Sequence, residues 1–307
     1  MQDYLQRLTT RLSAGLARLP EQTRRRHTDY LAARQNGDGG FSGREGDSDL
    51  YYTAFALRGL AVLDALTPQI SEKAGAFLHG CLNQHASVVD FYSFLYACLL
   101  VQMGGGPDVL ADSAESWPER VAATLETFRT ADGGYGKTAG AVSGSTYHTF
   151  LVGLCYEILN RPWPSSDKIL RFIEGRQRED GGFVEIPAMR RSGTNPTAAA
   201  VGIQQLILGP EASLARKQDI INFLARMNSS EGGLRANDRI PAADLLSTFT
   251  GTWTLDQLGE LDRIKTDQLR HFAEDLALPD GGFRAGLWDD RADVEYTFYG
   301  LGTLALV

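Results

Sequence analysis

Cysteine is scarce in this chain. Its 307 residues hold three, Cys81, Cys98 and Cys155. An odd number without paired spacing excludes a disulfide framework. Each lies in an apolar helical stretch, so they read as small core residues in a reducing compartment. Long apolar runs are missing too, and none reaches the length that spans a bilayer. The opening Met1-Gln2-Asp3-Tyr4-Leu5-Gln6-Arg7 has no apolar stretch of the signal-peptide kind. Basic residues are the minority, 30 Lys and Arg against 38 Asp and Glu. The net charge of −8 excludes nucleic acid as the main partner. These absences lead us to expect a cytoplasmic protein without a membrane span.

Glycine is plentiful, with 33 residues. A double glycine recurs at Gly39-Gly40-Phe41, Gly133-Gly134-Tyr135, Gly181-Gly182-Phe183, Gly232-Gly233-Leu234 and Gly281-Gly282-Phe283. The second glycines are 94, 48, 51 and 49 residues apart, so the first step holds two periods. A degenerate copy is expected near residue 85, between a helix at 71–84 and another opening at Val89-Asp90-Phe91-Tyr92-Ser93. Six repeats at one period signal a repeat architecture.

Each repeat reads as a helix, the glycine turn, a polar loop and a second helix. The first helices carry charge on one side, as in Arg171-Phe172-Ile173-Glu174-Gly175-Arg176-Gln177. The second are apolar nearly all round, as in Thr149-Phe150-Leu151-Val152-Gly153-Leu154-Cys155, and such helices are buried on all sides. An inner ring inside an outer ring satisfies both patterns. The final stretch from Tyr296 to Val307 is too apolar to cap an open solenoid. The expected fold is all-α, a closed (α/α)6 toroid of six inner and six outer helices over residues 23–307. Residues 1–22 form a separate N-terminal helix, with Leu5, Leu8, Leu12 and Leu16 at helical spacing. Gly40, Gly134, Gly182, Gly233 and Gly282 are expected in turns that demand φ > 0 or a close backbone approach.

The segment from Phe172 to Phe183 resembles the squalene-cyclase repeat, in which a glutamine and a glycine-aromatic pair tie each outer helix down. Ser145-Thr146-Tyr147-His148-Thr149 is similar to the repeat of protein prenyltransferase β subunits, whose Tyr-His-Thr supplies a zinc histidine. The resemblance implies a toroid that handles an isoprenoid, or isoprenoid diphosphate, in a central cavity lined by aromatic rings. It implies an enzyme of the prenyltransferase or terpene-cyclase kind. For the prenyltransferase version it also implies a separate helical subunit. The implied zinc site needs Asp-x-Cys on a neighbouring inner helix. The aligned positions hold Val89 and Phe91 on one side and Gly193 and Asn195 on the other. We therefore expect no zinc, and His148 stays as a substrate-binding candidate. The Asp-x-Asp-Asp motif of triterpene cyclases is absent.

Repeats five, six and one are consecutive around a closed ring. Asp244, Asp293, Glu295 and Asp49 are therefore expected on one side of the cavity mouth, as catalytic candidates. Aspartate opening a helix is ordinarily an N-cap, but Glu295 lies two residues inside and fits that use less well. Gathered carboxylates raise one another's pKa and supply a proton donor, or hold a divalent ion. Arg191 and Arg291 lie on loops beside helix N-termini, which favour anions, and are candidates for a diphosphate head. Tyr51, Tyr147, Phe55, Phe150 and Trp253 are candidates for lining the cavity, against their ordinary use in packing one ring on the other. The rival to an isoprenoid-handling protein is a non-catalytic toroid holding a lipid, peptide or protein partner.

Overall fold

A computed structural model describes residues 3–82, 87–111, 113 and 116–307. Among them run thirteen α-helices, one short 3-10 turn and only isolated β-bridges. The first helix is α1 (Tyr4–Leu16). The outer helices are α2 (Glu21–Ala32), α4 (Pro68–Gly80), α6 (Trp117–Glu126), α8 (Ser166–Glu174), α10 (Lys217–Ala225) and α12 (Thr266–Leu276). The inner helices are α3 (Leu50–Val62), α5 (Val88–Met103), α7 (Thr146–Ile158), α9 (Thr194–Leu208), α11 (Leu245–Gln257) and α13 (Val294–Leu306). Each inner helix packs on the next, and α13 packs on α3, so the ring closes. No described helix is long and apolar enough to cross a membrane.

Local chemistry sets the helix starts. Asp49, Asp244 and Asp293 accept backbone N–H groups in the first turns of α3, α11 and α13. Ser145 does the same for α7, and Ser87 with Asp90 forms a capping box on α5. That box stands in the degenerate repeat, where α4 ends at Gly80 rather than at 84. The stretch 83–86, where its glycines would fall, lies outside the described residues.

The two glycines of a turn do different work. The first takes a positive φ, as Gly281 does at 95°. The second lets an aromatic ring of the next outer helix come close. A Cβ on Gly134 would lie 2.4 Å from the Phe172 ring. A Cβ on Gly282 would lie 2.7 Å from the Tyr30 ring on α2, so the last turn docks on the first outer helix. One threonine per turn locks the aromatic residue. The Thr149, Thr197 and Thr297 hydroxyls accept the N–H of Tyr135, Phe183 and Phe283 at 2.9–3.0 Å. Each of these hydroxyls donates to the carbonyl four residues back. Gln35 and Gln177 donate to the carbonyls of Gly39 and Gly181.

The N-terminal helix is part of the ring's closure. α1 lies across the C-terminal ends of the inner helices. Glu157, at the end of α7, accepts the N–H of Tyr4 at 2.7 Å and of Leu5 at 2.9 Å. Arg11 pairs with Asp256 of α11 at 2.9 Å and donates to the Ala305 carbonyl of α13 at 3.2 Å. Leu12 and Leu16 are buried against these ends.

Candidate functional site in the central cavity

The inner helices enclose a cavity of about 370 Å³, near the lower end of the roughly 300–1,000 Å³ typical of small-molecule sites. It opens where the inner helices begin. Its floor is Tyr4, Leu5 and Leu8 of α1. Its walls are largely aromatic, with Phe55, Phe150, Phe249, Trp253 and Tyr299. Tyr4 stands edge-on to Phe150 at 5.4 Å and to Trp253 at 6.3 Å, and the indole N–H donates to its hydroxyl at 2.9 Å.

Few polar groups face this space. At the mouth the Tyr51 hydroxyl donates to Glu295 Oε1 at 2.7 Å. Burial raises the pKa of the Glu295 carboxyl, and the neighbouring Asp293 adds to the rise. The Tyr51 bond offsets only part of it. Glu185, on the loop before α9, accepts the Ser145 hydroxyl and the Tyr147 N–H. Burial raises its carboxyl as well. Tyr147 lines the same mouth and exposes 40% of its surface there. Among the described residues, the only cation in the lining is Arg58 of α3. Its guanidinium carbon lies 4.0 Å from the Phe298 ring centre and 4.7 Å from that of Phe55.

The family model of the prenyltransferase alpha-alpha toroid domain matches residues 9–183 and 199–307. The chain belongs to that family. A search of curated proteins finds no match. Among solved structures, the chain is similar to Candida albicans protein geranylgeranyltransferase-I complexed with GGPP. The identity is 15% and the TM-score 0.70, over 92% of this chain and 90% of that one. It is also similar to a type II terpene cyclase from Scytonema in complex with geranylgeranyl dihydroxybenzoate. There the identity is 12% and the TM-score 0.64, over 97% of this chain and 98% of that one. A GH76A alpha-1,6-mannanase from Salegentibacter sp. HEL1_6 is similar at 13% identity and a TM-score of 0.62, over 93% and 98%. Likenesses at this identity show the shared toroid fold alone.

This toroid brings some of the expected residues together. Tyr51, Phe55, Tyr147, Phe150, Trp253 and Glu295 all line the cavity. Asp49, Asp293 and Glu295 also border an open depression beside the mouth, with Arg44 and Tyr296. Asp244 is separate, on α11, where it accepts the Ser247 N–H at 2.7 Å. The other two aspartates are likewise held as caps. Asp49 Oδ1 accepts Tyr51 N–H at 2.7 Å, and Asp293 Oδ1 accepts Glu295 N–H at 2.8 Å. Burial raises the carboxyls of Asp244 and Asp293. Arg44 pairs with Asp289 and lies 3.6 Å from Asp293. Arg191 pairs with Asp238 at 2.8 Å and Arg291 with Glu45, and neither arginine lines the cavity.

His148 is not in the cavity lining. Burial and the nearby Lys137 lower its pKa to about 4, and its Nδ1 is buried without a partner. Among the described residues no three His, Cys, Asp or Glu side chains gather as a metal cage. The donor set around His148 is therefore one neutral nitrogen beside a cation, which does not fit zinc. Sequence reasoning passed over Arg58, Glu185 and the floor residue Tyr4. Arg58 carried a legible signal, as the one charge in an otherwise uncharged inner helix.

Proposed function

We propose that this toroid binds one isoprenoid chain in its central cavity, without a zinc ion, and that Glu295 is the acid at the mouth. The observation that supports this reading best is the lining, an aromatic wall around a space that α1 closes from below. Burying each CH₂ of a chain there contributes about 0.8 kcal/mol. A cavity of about 370 Å³ suits a small apolar molecule better than a peptide or protein partner.

Glu295 keeps its proton more readily than an exposed glutamate, since burial disfavours its charged form. The Tyr51 hydroxyl donates to one of its oxygens and holds the carboxyl at the mouth. Asp49, Asp244 and Asp293 commit oxygens to helix N–H groups, so we assign them to holding the helix ends. Tyr147 guards the mouth, and Phe55, Phe150 and Trp253 hold the chain.

Calorimetric titration with farnesol and geranylgeraniol tests the reading. One site of micromolar affinity is expected for at least one of them, weakened tenfold or more by Trp253→Ala. Treatment with a chelator should leave that affinity unchanged. Absence of binding to both alcohols and to their acidic counterparts would remove the isoprenoid reading. One zinc per chain by elemental analysis, lost in His148→Ala, would overturn the metal-free part.

A further inference from the structure

α3 carries a single charge, Arg58, and among the described residues it is the one Lys or Arg lining the cavity. Helical side chains lean toward the N-terminus of their helix. The guanidinium accordingly rises toward the mouth and lies level with Phe55, one turn inside Tyr51. Three rings hold it, those of Phe298 at 4.0 Å, Phe55 at 4.7 Å and Tyr96 at 5.6 Å. Its Nε is buried with no acceptor. Among the described residues no carboxylate forms an ion pair with it. Glu295 feels its field without touching it. The groups that face it are the phenols of Tyr92, Tyr96, Tyr299 and Tyr147.

A guanidinium without a counter-charge is expensive to bury. Aromatic faces offset part of that cost. They leave the planar array of N–H donors unused. An anion supplied by the ligand would complete the site. The balance of charge indicates which kind. One cation stands against two carboxyls, Glu185 and Glu295. One guanidinium can pair with a single acidic group, and the two carboxyls disfavour the higher charge of a diphosphate. A fixed cation on these ring faces also opposes a free carbocation in the same space.

We propose that the ligand is an isoprenoid acid, a chain ending in one carboxylate or one phosphate monoester. It is bound acid-inward on Arg58. Its chain crosses the cavity toward Phe150, Phe249 and Trp253, where Ala198 and Ala199 leave room on the wall. This rests on the cavity reading above and adds the chemical class and orientation of the occupant.

The test compares farnesoic acid, farnesyl monophosphate and farnesol as calorimetric titrants of the full chain and of Arg58→Met. The wild type should bind at least one acid tenfold or more tighter than farnesol. The better of the two acids identifies the head group as carboxylate or phosphate. Arg58→Met should bring the three affinities together while still binding farnesol, and its melting temperature should equal or exceed that of the wild type. Arg58→Gln carries the same comparison where the methionine variant does not fold. Equal wild-type affinity for acids and alcohol would overturn the acid proposal and leave the cavity reading intact. A preference that survives in the variant would also overturn it. Failure of all three ligands to bind would remove both.

Discussion

His27 Nδ1 accepts the N–H of Gly282 at 3.1 Å, across 255 residues of sequence. His27 belongs to the first outer helix and Gly282 to the last turn, so this bond lies on the seam of the ring. The imidazole is fully buried and stacks on Phe283 at 4.5 Å. A nitrogen that accepts carries no proton, so the bond places the single proton on Nε2.

The seam should therefore be sensitive to acid. Burial, with Arg26 nearby, lowers the His27 pKa from 6.5 to about 4. The unfolded chain takes up the proton at the higher value and the folded chain only at the lower one. The folded state is fully favoured above the unfolded pKa. It loses on the order of 3 kcal/mol as pH falls through this window. His148 adds a slope of the same sign. Denaturant melts at several pH values should show the loss in the wild type. His27→Asn, with Oδ1 in place of Nδ1, should remove the larger part of the slope. A variant with an unaltered slope would show that His27 is not the titrating group.

The seam should also be intolerant of a methyl group. Gly281 sits at φ 95°, and a Cβ there would lie 2.4 Å from the Arg26 carbonyl oxygen. Gly281→Ala is expected to cost about 2–4 kcal/mol by chemical denaturation, from strain and from displacement of α2. Gly37→Ala is the control, since nothing lies within 4 Å of a Cβ there. Its effect should stay within about 0.5 kcal/mol. Equal costs at the two positions would contradict the close docking of the last turn on α2.

Glu295 titrates with the opposite sign. Its folded pKa is raised above 4.5, chiefly by burial. The folded state holds this proton more tightly than the unfolded chain does. The stability it contributes is complete below the unfolded pKa and is lost as pH rises through the folded pKa. Glu295→Gln cannot ionise and retains an oxygen for the Tyr51 hydroxyl. Its melting temperature should gain on that of the wild type as pH rises above the unfolded value of 4.5. A difference that stays constant over that range would mean the carboxyl is not desolvated as the structure has it.

The ring itself was legible in the sequence because its turns are chemically demanding. Only glycine fits a positive φ followed by a ring at 2.4–2.8 Å, so the double glycine repeats wherever the turn does. The division of labour between the two glycines was not legible, since it depends on Phe172, Phe223 and Tyr30 arriving from a neighbouring repeat. The aromatic lining followed from placing Tyr51, Phe55, Phe150 and Trp253 on inner helices. The acids interleaved with the loop arginines were visible in the sequence, but the pairing of Arg191 with Asp238 and of Arg291 with Glu45 joins different loops and is a property of the folded ring. The seat of α1 was hidden for a similar reason. The stripe of Leu5, Leu8, Leu12 and Leu16 shows that one face is buried, but no pattern in it names the ends of the inner helices.

The position of α1 bears on the order in which the molecule is assembled. Arg11 reaches Ala305, 294 residues later, and Tyr4 and Leu5 dock on Glu157. α1 is synthesised before every element it rests on. Contacts this distant in sequence slow folding, because a long loop must close before they form. α1 therefore cannot take its seat until α13 has been made. Without Tyr4, Leu5 and Leu8 the cavity has no floor and is a tube. Seating of α1 turns the tube into a pocket with a single mouth.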